Sequence, residues 1–318
     1  MIDALVGFLA WTHEFSPYLA WLTVGGFVLG GLSSVRNERI ARPVTVASWG
    51  LFGLFWLTLI HYYLITQKSA IEGVGCLLAV PLSVYAGLLL WQGRTSLYVL
   101  SRAIGAMGLV FLPFEAIPVL TQTLIETVTY QTEFLMGLLG QSAPGAFRVV
   151  SGAVVDQPPY RSTFLFVDGS GHTMTYTIRL ACTGLGSMAI FGGLILAVEG
   201  TVRQKARALV VSIPVIYGLN LVRNVFIGLT FGQQRLHVAP ELIMGLFGTS
   251  DPYRVSYYLA DRIIAQSLSV FILVAITWLV VRQLPGTLRV VEDILFLLTR
   301  TEYELAARVE DAEPSPAD

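Results

Sequence analysis

Long apolar runs separated by short polar segments dominate the chain, and the length of those runs limits what they can form. A helix needs about 20 mostly apolar residues to cross the hydrocarbon core of a bilayer. Seven runs reach or approach that length: Tyr18–Leu32, Val46–Thr66, Gly73–Trp91, Ser96–Ile117, Cys182–Val198, Ala206–Phe231 and Tyr257–Val281. The first and fifth are short and need their flanks to complete a span. The predicted fold is an all-α polytopic membrane protein of about seven transmembrane helices over residues 1–284. Residues 285–318 follow as a cytoplasmic amphipathic segment and an acidic tail, which composition predicts to be disordered from Glu310.

Two stretches depart from the pattern. Thr121–Leu139 has helical periodicity but carries Glu126 and Glu133, which are costly at bilayer depth, so it is expected to lie in the interface instead of spanning. The segment from Gly140 to Arg179 opens on Gln-Ser-Ala-Pro-Gly and then shows strand-like runs at Phe147–Val155, Ser162–Val167 and Thr173–Leu180. Asp168-Gly169-Ser170-Gly171 is a turn signal between the last two runs. A small β insert over residues 140–180, before the fifth helix, follows from this.

Charge placement orients the helices, because basic residues accumulate in cytoplasmic loops. Arg36, Arg39 and Arg42 follow the first run, Arg94 the third, Arg203, Lys205 and Arg207 the fifth, and Arg282 and Arg289 the seventh. With seven spans all these loops share one side, which puts the N-terminus outside, the C-terminus inside and the β insert on the outer face. The segment Ile2–Trp11 has no preceding basic residue and contains Asp3, so it is a poor signal peptide.

Composition adds exclusions. Hydrophobic residues make up 54% of the chain and charged residues 13%, about half the charged share of a soluble domain. A net charge of −1 without a basic block offers nothing to nucleic acid. Two cysteines, Cys76 and Cys182, exclude a disulfide scaffold and a multi-cysteine metal site, and no cofactor is expected.

The candidate chemistry gathers at one depth. Cys182 stands where a strand gives way to a helix at the outer edge of the membrane. There a helix N-terminus lowers the pKa of a nearby thiol, and backbone N–H groups near Thr183 and Gly184 can receive an oxyanion. Arg223 falls roughly 25 Å up the sixth helix from Ala206 at ~1.5 Å per residue, in the outer half of the span. Asn220 is one turn earlier on the same face. Arg262 lies near the outer end of the seventh helix, with Asp261 beside it to pair locally or with another helix. Judged singly, Cys182 is also a small core residue, and each arginine is also an interfacial anchor. Their convergence from three helices is the feature a structural role does not explain. A guanidinium stays protonated, so it suits an oxyanion or a thiolate and not the role of base. Proton donors to a leaving amine are open among His172, His237, Tyr217, Tyr257 and Tyr258.

Leu180-Ala181-Cys182-Thr183-Gly184, Leu219-Asn220-Leu221-Val222-Arg223-Asn224 and Tyr257-Tyr258-Leu259-Ala260-Asp261-Arg262 resemble the exosortase/archaeosortase family, and its archaeosortase branch in particular. The resemblance covers roughly residues 15–282. It implies a membrane cysteine protease or transpeptidase acting on secreted or surface proteins with a C-terminal sorting signal: a Pro-Gly-Phe motif, a hydrophobic helix and a basic cluster. It further implies that the new C-terminus is transferred to a membrane lipid. Carried over, Cys182 is the nucleophile, Arg223 the core arginine, and Arg262 fills a third position where bacterial exosortases usually have histidine. The competing classes are a seven-helix receptor and a transporter. A retinal protein is excluded because the only lysines, Lys68 and Lys205, lie in loops.

Overall fold

The computed structural model describes residues 7, 11–34, 36–141 and 147–305. The leading apolar stretch, the Gln-Ser-Ala-Pro-Gly opening beyond Gln141 and the acidic tail thus fall outside the described residues. In chain order the elements are α1 (Ser16–Ser34), α2 (Glu38–His61), α3 (Ala70–Trp91), α4 (Leu97–Ala116) and α5 (Pro118–Met136). Strands β1 (Arg148–Ser151), β2 (Arg161–Val167) and β3 (Thr173–Thr177) follow, then α6 (Leu185–Ala197), α7 (Val202–Gly232) and α8 (Pro240–Phe247). Last come α9 (Arg254–Gln283) and α10 (Thr287–Thr299).

Among the described residues, six helices are long and apolar enough to cross a bilayer: His13–Ser34, Glu38–Thr66, Ala70–Trp91, Leu97–Ala116, Val202–Gly232 and Arg254–Gln283. The expected fifth span is shorter than the sequence suggests. Its helix, α6, has 13 residues, roughly 20 Å at ~1.5 Å per residue. Gly184 stops it at one end with a left-handed φ of +78°, and Glu199-Gly200 ends it at the other. Large apolar side chains such as Leu29, Val210 and Phe271 point outward along the long helices, with Phe271 72% exposed. That distribution suits lipid as the solvent and would be an aggregation liability in water.

The chain divides into two compact units. The first comprises Met1–Leu112, Ala189–Ser212 and Thr277–Asp318. Phe27, Trp49, Leu90 and Leu97 form its fully buried centre, and the Trp49 indole N–H donates to Ser101 Oγ at 3.0 Å. Gly30 lies against the Thr45 hydroxyl with no room for a Cβ, so α1 and α2 meet nearly backbone to backbone. The Arg94 guanidinium bonds Asp293 Oδ1 at 3.0 Å and Glu302 Oε1 at 2.6 Å, fastening α10 to the loop after α3. That contact holds the Glu302 carboxyl below its ordinary pKa.

The second unit comprises Pro113–Met188 and Ile213–Ile276. Its three strands form an antiparallel meander in the order β1-β2-β3, with Val149 opposite Phe164 and Phe164 opposite Tyr176. Alternation puts Phe164, Phe166, Met174 and Tyr176 on a buried face, where they join Val128 and Met136 of α5, Ile227 of α7 and Ala260 of α9 in one core. The carboxylates of α5 serve the sheet: Glu126 accepts the Arg161 backbone N–H at 3.0 Å, and Glu133 takes its guanidinium at 2.8 Å. The two glutamates that argue against a lipid-crossing helix are thus both engaged by β2. In the β2–β3 turn, Asp168 Oδ1 accepts the backbone N–H groups of Ser170 and His172 at 2.8 and 2.9 Å.

Candidate active site

Cys182 lies in a single 3₁₀ turn, Leu180–Thr183, between β3 and α6. The Cys182 N–H donates to the Arg179 carbonyl at 2.8 Å, and the Thr183 hydroxyl donates to the Leu180 carbonyl at 2.7 Å. Gly184 follows in the left-handed region, and a Cβ there would also meet Asn220 at 3.1 Å. The helix therefore begins at Leu185, not at Cys182. A helix dipole acts mainly within its own first turn, so the thiol precedes the terminus that the sequence places beside it. Cys182 is a free, half-buried thiol.

Helix α7 supplies the polar surroundings. Asn220 and Asn224, four residues apart and so on one face, each donate Nδ2–H to the Cys182 carbonyl, at 2.7 and 2.8 Å. That oxygen thereby has two side-chain donors. Tyr176 on β3 donates its hydroxyl to Asn224 Oδ1 at 3.2 Å, which leaves the amide N–H₂ for Cys182. Burial pushes the Tyr176 pKa well above its ordinary value; Cys182 adds to the rise, Arg223 opposes it and Asp261 adds again. The phenol consequently stays protonated, with the thiol, one guanidinium and one carboxylate all within its electrostatic reach.

Arg223, between the two asparagines, bonds Asp261 Oδ1 at 2.5 Å, while Asp261 Oδ2 stands 3.5 Å from Arg262 Nε. Asp261 and Arg262 sit in a stretch of α9, Tyr258–Ala265, wound as a π-helix. Such wide turns recur at functional sites. The Asp261 side chain is only 8% exposed, and a carboxylate so buried requires the pairing it has. Cys182 is an electrostatic neighbour of Arg223 and, with Asp261 and Arg262, of Tyr257.

The structure thus brings Cys182, Thr183, Gly184, Asn220, Arg223 and Arg262 into one neighbourhood and assigns the two histidines elsewhere. His172 stacks on Tyr253 at 3.9 Å between ring centroids and belongs to the Asp168 turn. His237 is exposed after α7. Tyr217 is committed to Gln131 Oε1 at 2.5 Å. Asp261, Asn224 and Tyr176 are not in the predicted set. The Asn220–Asn224 spacing around Arg223 is a signal for Asn224. Nothing in the sequence singles out Tyr176, whose place depends on sheet register. Among the described residues no group of three or more His, Cys, Asp or Glu side chains is arranged to hold a metal ion.

The family model for transmembrane exosortase matches residues 11–250, three quarters of the chain, including Cys182, Asn220 and Arg223. The chain belongs to the exosortase family. Curated relatives of this exosortase-family protein include archaeosortase A of Haloferax volcanii, 45% identical over 300 residues, which cover 91% of this chain and 96% of that protein. Archaeosortase A of Natronomonas pharaonis is 35% identical over 312 residues, 96% of each chain. No solved structure matches. Membership, with six long apolar helices, makes this a multi-pass membrane protein and sets aside the receptor and transporter readings.

Proposed function

We propose that this exosortase-family protein is a membrane cysteine transpeptidase that removes a C-terminal sorting signal from secreted proteins through a Cys182 thioester. The observation that carries this reading is the double clamp on the Cys182 carbonyl. Asn220 and Asn224 fix the nucleophile's backbone to the helix that carries Arg223. The two relatives named archaeosortase A support the same activity class.

In this reading the Cys182 thiolate adds to the scissile carbonyl, and the oxyanion is met by the Arg223 guanidinium and the backbone N–H groups near Thr183 and Gly184. The carbon–nitrogen bond then breaks. The departing amine takes a proton from Tyr257, which has Asp261 and Cys182 among its electrostatic neighbours. The acyl group remains on sulfur. A lipid nucleophile attacks the thioester, gives up its proton to the tyrosinate and releases the thiolate. The signal is a Pro-Gly-Phe motif followed by a hydrophobic helix and a basic cluster. With the N-terminus out and the C-terminus in, the insert and Cys182 face the extracellular side, where a tail helix in the bilayer would present its motif. The basic loops support that orientation.

The test is co-expression with a Pro-Gly-Phe-tailed substrate. Cys182→Ala is expected to accumulate uncleaved substrate and trap no adduct. Cys182→Ser is expected to be nearly as inactive, because no strong base adjoins the hydroxyl. Tail removal at the wild-type rate by Cys182→Ala overturns the mechanism.

A further inference from the structure

Two guanidinium groups, one from α7 and one from α9, meet the same carboxylate. Asp261 gives Oδ1 to Arg223 and turns Oδ2 toward Arg262, and it is the most buried of the three side chains. Asp261 also has Tyr257 as an electrostatic neighbour. Its position in the helix is set by the π winding of Tyr258–Ala265. A solitary carboxylate at such a place would be costly, and two bare guanidinium groups side by side would repel. Together they fix one another's geometry, and the carboxylate offsets part of the guanidinium charge near the thiol.

We infer that Asp261 is a positioning residue of the proposed reaction: it aims Arg223 and Arg262 and offsets part of their charge in the field at Cys182. It touches neither substrate nor sulfur in this role and acts through the arginines. The inference rests on the transpeptidase reading for its consequence on turnover, but its effect on the field at Cys182 does not.

The experiment uses the full-length protein in native membranes, in a Cys76→Ala background so that Cys182 is the only thiol. Asp261→Asn keeps shape and removes the charge. Turnover is expected to fall by tenfold or more in kcat with KM changed little, as for a geometry realised mainly in the transition state. Asp261→Glu keeps the charge and is expected to recover part of the loss. The reading that a merely structural role would not move is thiol alkylation: the ratio of the Cys182 rate with anionic iodoacetate to that with neutral iodoacetamide. One added unit of positive charge several ångströms away should raise this ratio about threefold in Asp261→Asn at low salt, with Asp261→Glu near the parent value. An unchanged ratio, or parental kcat in Asp261→Asn, overturns the inference. If Asp261→Asn does not insert, Asp261→Glu decides it: a ratio raised about threefold over the parent, or full loss of turnover with a parental ratio, counts against it. Should Cys182→Ala remain active, the transpeptidase mechanism fails while the alkylation ratio still reports on Asp261.

Discussion

Two amide groups converge on the carbonyl of Cys182, and each is a single-residue lever. Removing either leaves a buried acceptor with one partner in place of two, at a cost of about 0.5–1.5 kcal/mol. Asn224→Ala should hurt more than Asn220→Ala, because Asn224 is wholly buried and also receives the Tyr176 hydroxyl. Processing rates on the tailed substrate, about tenfold lower for Asn224→Ala, check this. The arginines differ in a similar way. Lysine offers a point charge where arginine offers directed, paired donors, so Arg223→Lys and Arg262→Lys should both insert and both turn over slowly. The larger loss is expected at Arg223, which holds Asp261 at 2.5 Å against 3.5 Å for Arg262; parental rates in both variants would reduce them to membrane anchors. At this scale the sequence is informative wherever cost is high. A cation at bilayer depth draws notice by itself, which is why Arg223 and Arg262 are legible. Asp261 is visible, but its partner is not, because i, i+1 proximity to Arg262 and cross-helix pairing look the same in one dimension.

Among the elements, alternation and the Asp-Gly-Ser-Gly turn make three strands legible in sequence. The run expected to reach Val155, however, leaves the sheet after Ser151 and winds into a 3₁₀ helix, and the register is fixed only in the fold. The Cys182 turn is read less well, because a glycine before a helical run looks the same whether its φ is negative or positive. Gly184→Ala should expose that difference. Left-handed alanine costs about 1–2 kcal/mol, and its Cβ would press on Asn220, so the clamp on Cys182 should loosen and processing should drop while the protein still accumulates in the membrane. The β2–β3 turn offers a pH reading. Hydrogen bonds from the Ser170 hydroxyl and the His172 backbone N–H hold the Asp168 carboxyl down to about 2. A depressed carboxyl contributes stability above its unfolded pKa of 3.8 and loses it as pH falls through the folded value. Protection factors of the Ser170 and His172 amides, taken relative to intrinsic exchange at each pH, should therefore be flat down to about pH 4 and fall between there and about 2.

For the whole molecule, the basic loops predict a sidedness that the chain's own contacts allow to be probed. Arg94 ties α10 to the loop after α3, so tags after Thr299 and within residues 92–96 should share one accessibility, and a tag in the Asp168 turn should show the opposite one. Protease treatment of intact cells is expected to reach the turn alone; finding all three on one side would remove the seven-span orientation. Helix number is the less legible property, since α6 is apolar throughout but short, and hydropathy registers composition more readily than where a helix starts. The π winding in α9 bears on the molecule in another way. An ordinary helix advances about 100° per residue, and a π turn accommodates roughly one residue more per turn than an α turn. The eight residues Tyr258–Ala265 therefore act as a phase shift in the last long helix. Everything from Gln266 to Gln283 faces a direction that simple counting from Arg254 would get wrong, and a lineage that gained or lost one residue here could re-aim Arg262 without altering a single side chain upstream of it.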